Sequence, residues 1–143
     1  MGQFDTIKII LKAKAQSTNQ IDRYNHIENE FDQFERFVMP KAPRKIRDAQ
    51  LYKFLHLTRA SDTSLRLIVD ALHITGYECH MKSYLKHLTS KGLHYSDMDK
   101  FISNVVHTRN MYVHVADKYI TKQELIKIVP VISEMLQKAL ICK

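Results

Sequence analysis

Glycine and proline are scarce in this sequence, with three of each among 143 residues. A β-rich fold of this length needs many tight turns, and these two residues supply most of the backbone conformations that turns require. Their scarcity therefore predicts an all-α protein. We expect one helical domain over residues 1–143, folded as a bundle of five to seven helices.

Cysteines and long apolar runs are also scarce. Cys79 and Cys142 are the only two cysteines and form no CxxC pair, so a disulfide scaffold is not expected. No run of about 18 apolar residues occurs, and Lys8, Lys12 and Lys14 interrupt the apolar stretch near the N-terminus. These features predict a cytoplasmic protein with neither a signal peptide nor a membrane-spanning helix.

The common catalytic motifs are missing as well: there is no GxSxG, glycine-rich phosphate loop, HExxH or cysteine cluster. Histidines recur every seven residues, at His73, His80, His87 and His94. Only His80 and His87 are expected to share a helix, about 10.5 Å apart along its axis, whereas helical metal ligands are normally spaced i, i+3 or i, i+4. We therefore expect surface histidines, no metal site and no cofactor.

Acidic residues are outnumbered by basic ones, 15 against 22, which gives a formal net charge of +7. Such an excess either serves solubility or indicates a polyanionic partner, usually nucleic acid. Four basic residues surround the start of the predicted third helix: Lys41, Arg44, Lys45 and Arg47. They form a weak candidate RNA-binding patch that contacts phosphates, and a solvated helix end is the alternative.

Apolar periodicity predicts helices over about residues 4–15, 21–38, 44–59, 62–75, 78–90, 97–118 and 122–141. The first segment also alternates like a strand, and we assign it as a helix. Ser61 or Asp62 is expected to cap the fourth helix, and Gly76 to end it in the left-handed conformation. The Gly76 junction also leaves a DNA-reading helix-turn-helix open as an alternative. Helices over about 4–38 would precede a core over about 44–142.

The last helix carries the clearest local signals. Thr121 and Glu124 have the spacing of a capping box, and Ile120 and Leu125 fit the hydrophobic staple around it. Pro130 lies inside this helix and should kink it.

The central helix, expected from an N-cap at Ser96 to about Lys118, contains the most informative charge. At about 100° per residue, an apolar arc comprises Phe101, Ile102, Val105, Val106, Tyr112, Val113, Ala116 and Tyr119. A polar stripe lies opposite: Ser103, His107, Asn110, His114 and Asp117. Arg109 falls inside the apolar arc, and a guanidinium is costly to bury without a partner. Either Arg109 pairs with an acid inside the fold, or the arc is also a subunit interface with an anionic target.

The Arg109, Asn110 and His114 side chains can together cleave RNA. Arginine grips a phosphate, neutral histidine takes a proton and its protonated form returns one, and asparagine positions either group. RNA supplies its own nucleophile, the 2′-hydroxyl, so the products would be a 2′,3′-cyclic phosphate and a 5′-hydroxyl. Arg109 and His114 lie about 140° apart around the axis, so two such helices crossing at a twofold axis would be needed to bring the groups together.

The segment Arg109-Asn110-Met111-Tyr112-Val113-His114 resembles the active-site motif of the HEPN superfamily, in which Arg is followed after four to six residues by His, commonly with a polar residue after the Arg. The resemblance is specific over about residues 101–140. It implies a metal-independent endoribonuclease acting as a homodimer, with a role as a toxin or antiviral effector and Arg109, Asn110 and His114 as catalytic residues. His107 and Tyr112 are second-tier candidates.

One position departs from a subset of that superfamily. Toxins regulated by a nucleotidyltransferase antitoxin often carry Tyr two residues after the His, and this chain has Ala116 there. An antitoxin partner stays a candidate without that mode of regulation being assumed. The other functions left open are a non-catalytic HEPN-like module that binds RNA, nucleotide or protein, and a DNA-binding or purely structural helical protein.

Overall fold

The computed structural model describes residues 2–39, 41, 43–115 and 118–143, without the side chains of Pro43 and Arg44. All regular secondary structure in these residues is helical, which confirms the predicted all-α bundle. The helices are α1 (Asp5–Ser17), α2 (Ile21–Glu35), α3 (Pro43–Ala71), α4 (Met81–Thr89), α5 (Tyr95–Phe101), a π-helical turn (Ile102–Val106), α6 (His107–His114) and α7 (Lys122–Leu140). Because α5, the π turn and α6 follow one another without a gap, they form one continuous rod.

Helix α3 is 29 residues long and forms the centre of the bundle. It packs against α1, α2, α4, α6 and α7, and Phe54, Leu57, Leu65 and Ile68 on it are fully buried. The α1–α2 hairpin adds Phe4 to the same core, where its ring stacks on Phe31 with the centroids 4.7 Å apart. The N-terminal helices therefore share one hydrophobic core with the rest of the described chain.

The predicted break in this helix at Ser61 and Asp62 was wrong. The Ser61 hydroxyl donates to the Leu57 carbonyl at 2.9 Å, a bond to the preceding turn that leaves the helix intact. The helix ends at Ala71, and His73 rather than Gly76 takes the left-handed conformation next to that end, with φ 59°. Gly76 also has a positive φ, 78°, but it lies in the loop beyond.

The rod that carries the motif also differs from its prediction. Its N-cap is His94 rather than Ser96, and it ends at His114 rather than near Lys118. The π turn adds a residue to one turn, so a uniform 100° step does not hold through the rod. Phe101, Ile102, Val105 and Tyr112 are buried, but Val113 is 48% exposed, which corrects its place in the apolar arc.

Two further predictions for this region have different outcomes. The polar stripe is confirmed at Ser103, His107, Asn110 and His114, which are all exposed. Ala116 and Asp117 lie outside the described residues.

Helix α7 begins as predicted. Thr121 accepts a hydrogen bond from the Glu124 N–H at 3.1 Å and Glu124 accepts one from the Thr121 N–H at 3.3 Å, which confirms the capping box. The staple residues Ile120 and Leu125 are both buried, and Pro130 lies inside the helix. No helix in the described residues is long and apolar enough to cross a bilayer.

Candidate active site on helix α6

Helix α6 lies at the surface and is held to the bundle mainly through one residue. Among the described residues, Tyr112 is the one buried residue of α6. The Tyr112 ring meets Phe54 of α3 edge to face, with 6.2 Å between centroids, and its hydroxyl donates to Glu124 Oε2 of α7 at 2.6 Å. Tyr112, a second-tier site candidate, therefore anchors the motif helix to both neighbours.

The outward side of α6 carries most of the predicted site. His107, Asn110 and His114 are all exposed. Exposed apolar side chains lie among them, Met111 at 41%, Val113 at 48% and Val115 at 38%. This side thus combines an amide and two imidazoles with an apolar surface that the described part of the chain leaves uncovered.

Arg109 lies apart from the other motif residues. Its side chain is partly buried, and its one hydrogen bond to the described residues is a long contact of 3.5 Å from Nη1 to Asn110 Oδ1. Residues 107–114 form a regular α-helix, so Arg109 and His114 project about 140° apart. A single copy of the chain therefore does not bring its own Arg109 and His114 together.

The positive charge of Arg109 acts on one acid of α3, Asp62. Burial raises the pKa of the Asp62 carboxyl above its ordinary value of 3.8, and the positive charges of Arg109 and Arg66 oppose that shift. Among the described residues, no carboxylate oxygen lies within the 4.0 Å that defines an ion pair with the Arg109 guanidinium. Arg109 therefore forms no salt bridge with a described acid, and its guanidinium keeps donors available for an anion.

A polar cluster that was not predicted from the sequence lies at Asp70 of α3. The Tyr77 hydroxyl and the Arg23 guanidinium both bind the Asp70 carboxylate. Asp62, Arg66 and Asp70 follow one another at intervals of four residues, which places them on one helix face. That spacing was the available signal, and it was hidden because a helix break was assigned at Asp62.

The candidate basic patch contacts the segment that follows the C-terminal end of α6. The Arg47 guanidinium carbon lies 4.8 Å from the centroid of the Tyr119 ring. Lys41 and Lys45 are exposed, and the Arg44 side chain lies outside the described residues. The structure therefore brings the start of α3 next to the segment that follows α6, a proximity with no signal in the sequence.

Two of the four histidines spaced seven residues apart, His80 and His87, have local structural roles. His80 is the N-cap of α4, where its Nδ1 accepts a hydrogen bond from the Ser83 N–H at 3.1 Å. His87 Nδ1 lies 2.9 Å from the Ser83 carbonyl. No three His, Cys, Asp or Glu side chains in the described residues converge as metal ligands would.

No protein-family model, curated protein or solved structure matches this chain. The resemblance to the HEPN superfamily therefore stays a prediction that depends on the motif in α6.

Proposed function

We propose that this protein is a metal-independent endoribonuclease that acts as a homodimer through α6. The observation that carries the proposal is the arrangement on that helix: His114 and Asn110 are exposed one turn apart, and Arg109 lies at the flank with guanidinium donors available. These groups together supply a proton acceptor, a positioning amide and a phosphate-binding cation, which are what transfer of a phosphodiester to its neighbouring 2′-hydroxyl requires.

In the proposed reaction, neutral His114 removes the proton of the 2′-hydroxyl. The 2′-oxygen attacks phosphorus, the bond between O2′ and phosphorus forms, and the bond between phosphorus and O5′ breaks. The imidazolium that forms on His114 returns this proton to the departing 5′-oxygen. Arg109 donates to the phosphate oxygens and stabilises their added negative charge. The products are a 2′,3′-cyclic phosphate and a 5′-hydroxyl.

A second copy of the chain is part of the proposal because one helix separates the two main groups. Two antiparallel α6 helices related by a twofold axis would place Arg109 of one copy near His114 of the other. The exposed Met111, Val113 and Val115 side chains support this pairing, since they give the polar residues an apolar surface on which two copies can pack.

The biological setting follows from the resemblance to the HEPN superfamily. We propose a toxin or antiviral effector of the cytoplasm, with an antitoxin protein as a candidate partner.

The experiment is an RNA-cleavage assay in excess EDTA. The wild type should cut RNA, leave DNA of the same sequence intact and produce cyclic phosphate ends. Arg109→Ala and His114→Ala should remove cutting while the circular dichroism spectrum stays unchanged. His26→Ala is the matched control, because His26 is exposed on α2 away from the motif helix. Persistent cutting by His114→Ala would overturn the assignment of the base.

A non-catalytic RNA-binding module is the second candidate. The formal net charge of +7 and the exposed Lys41, Lys45 and Arg47 favour it, because they attract a polyanion whether or not it is cleaved. Under this alternative the wild type would bind RNA with a strong salt dependence and show no turnover.

A further inference from the structure

The geometry points to a single-stranded RNA-binding surface built around Tyr119, with exposed basic side chains from the start of α3 and the start of α7. It deepens the proposed function by naming the form of the substrate, and it rests on that function only for the identity of the polyanion as RNA. The surface consists of Lys45, Arg47, Lys118, Tyr119 and Lys122.

A contact between Arg47 and Tyr119 joins the start of α3 to the segment before α7. The Arg47 guanidinium carbon lies 4.8 Å from the Tyr119 ring centroid, within the range of a cation–π interaction. This contact keeps Arg47 beside the aromatic ring and so restricts both side chains. Tyr119 is nevertheless partly exposed, so part of its surface is available to a ligand.

Basic side chains neighbour Tyr119 and Arg47 in the sequence. Lys45, Arg47, Lys118 and Lys122 are all exposed. Asp48 and Glu124 are the described acids nearest to them along the chain. Glu124 is already engaged, since its carboxylate accepts hydrogen bonds from Tyr112 and Thr121. In the sequence, these four basic residues still outnumber the nearby acids Asp48, Asp117 and Glu124, and such an excess of positive charge suits a polyanion.

The contacts of α3 locate Tyr119 relative to the motif helix α6. Phe54 of α3 meets Tyr112, and Arg47, seven residues earlier, meets Tyr119, seven residues later. The helix α3 thus runs antiparallel to the chain through α6 and beyond. The aromatic ring with its lysines lies past the C-terminal end of α6, the end that carries His114. A nucleic acid held at His114 that continues beyond the C-terminal end of α6 would therefore approach Tyr119.

A stacking site of this kind favours single-stranded RNA over duplex RNA as the ligand. An aromatic side chain binds nucleic acid by stacking on a base face, and only an unpaired base offers that face freely. We therefore assign Tyr119 as the stacking platform for a base and the four basic residues as contacts for the flanking phosphates.

The test measures binding without cleavage. A fluorescein-labelled 2′-O-methyl oligouridine lacks the nucleophilic hydroxyl, so its anisotropy in EDTA reports affinity alone. Tyr119→Ala should weaken binding roughly 5- to 150-fold, as loss of one base stack does. Tyr119→Phe keeps the ring and should bind within about twofold of the wild type, which separates stacking from a folding defect.

Charge is tested in the same assay by a salt series. The pair Lys118→Glu and Lys122→Glu should lower the affinity and reduce the slope of log K against log salt by at least about 1.4, because each lost phosphate contact to a single strand contributes about 0.7 and the new carboxylates repel the strand. Lys86→Glu is the matched control, since Lys86 is exposed on α4. A self-complementary duplex of the same chemistry should bind more weakly than the single strand.

The outcomes separate this inference from the proposed nuclease. Equal binding by Tyr119→Ala and wild type, or equal binding of duplex and single strand, would overturn the inference even if the wild type cuts RNA. Tyr119-dependent binding by a wild type that never cuts RNA would support the inference and reject the nuclease.

Discussion

The hydroxyl of Tyr112 donates a 2.6 Å hydrogen bond to Oε2 of Glu124. Tyr112 belongs to the motif helix α6, and Glu124 belongs to the capping box that begins α7. The bond therefore joins the end of one helix to the start of the next across the segment that contains Ala116 and Asp117. Whatever α6 does, this pair fixes the position of its C-terminal turn.

Tyr112→Phe should lower the free energy of unfolding by about 1.5–3 kcal/mol, because it removes a hydrogen bond to an ionised group. The ring stays against Phe54, so the loss is polar rather than apolar. Urea unfolding measures the change. Tyr95→Phe is the matched control, since Tyr95 is 70% exposed, and it should change stability little. An equal effect at both positions would show that the Tyr112 bond contributes nothing specific.

The same pair predicts a dependence of stability on pH at both extremes. Burial pulls the pKa of Glu124 upwards, but hydrogen bonds from the Tyr112 hydroxyl and from Thr121 together outweigh it and hold the pKa below its ordinary 4.5. Its contribution is therefore present above pH 4.5 and is lost as the pH falls through the lowered value. Burial and Glu124 raise the pKa of Tyr112 to about 12, so that residue's contribution is present below its ordinary pKa and is lost as the pH rises through about 12.

Measurements of the wild type and Tyr112→Phe at several pH values check this dependence. The stability difference between the two proteins should shrink at acid pH. A difference that stays constant from neutral pH to below the Glu124 pKa would contradict the linkage.

Asp62→Asn tests the acid beside Arg109. Because burial raises the pKa of Asp62 in the folded state, its ionised form costs stability at neutral pH and the protonated form does not. Asparagine imitates the neutral form, so the variant should be at least as stable as the wild type at pH 7. The wild type should gain stability relative to the variant as the pH falls through the raised pKa towards 3.8. Urea unfolding of the two proteins at two pH values measures these differences. A large loss of stability at pH 7 in Asp62→Asn would instead indicate that Asp62 belongs to a buried ion pair.

His73 offers a test of how α3 ends. Its φ of 59° lies in the left-handed region, which glycine adopts without strain. His73→Gly should raise the free energy of unfolding or leave it unchanged, whereas His73→Ala should lower it by about 1 kcal/mol relative to the glycine variant. Thermal unfolding of the two variants provides the comparison. If the two variants prove equally stable, the conformation at His73 does not limit stability.

Features of the fold that depend only on residues close together in the sequence could be predicted. The α7 capping box and the exposed stripe through His107, Asn110 and His114 are local patterns, and both are confirmed. The break at Ser61 was wrong because a serine hydroxyl can bond to the carbonyl four residues earlier as readily as it can cap a helix. The π turn at Ile102–Val106 had no recognised signal either.

The parts of the candidate site that join distant segments could not be predicted. Arg109 was identified as a misplaced charge, but its position beside Asp62 depends on how α3 packs against α6. The contact of Arg47 with Tyr119 has the same origin. Both follow from the antiparallel course of α3, which is set by burial of Phe54 and Tyr112 in the shared core rather than by any local pattern.

The most direct measurement of the central claim is RNA cleavage in EDTA by a mixture of two inactive variants. Arg109→Ala retains His114 and His114→Ala retains Arg109, so a mixed dimer holds one intact pair if the site is shared between copies. We predict that each variant alone leaves RNA uncut and that the equimolar mixture, after joint refolding, regains part of the wild-type activity with cyclic phosphate ends. A mixture that stays inactive beside an active wild type would contradict a site shared between two copies of the chain.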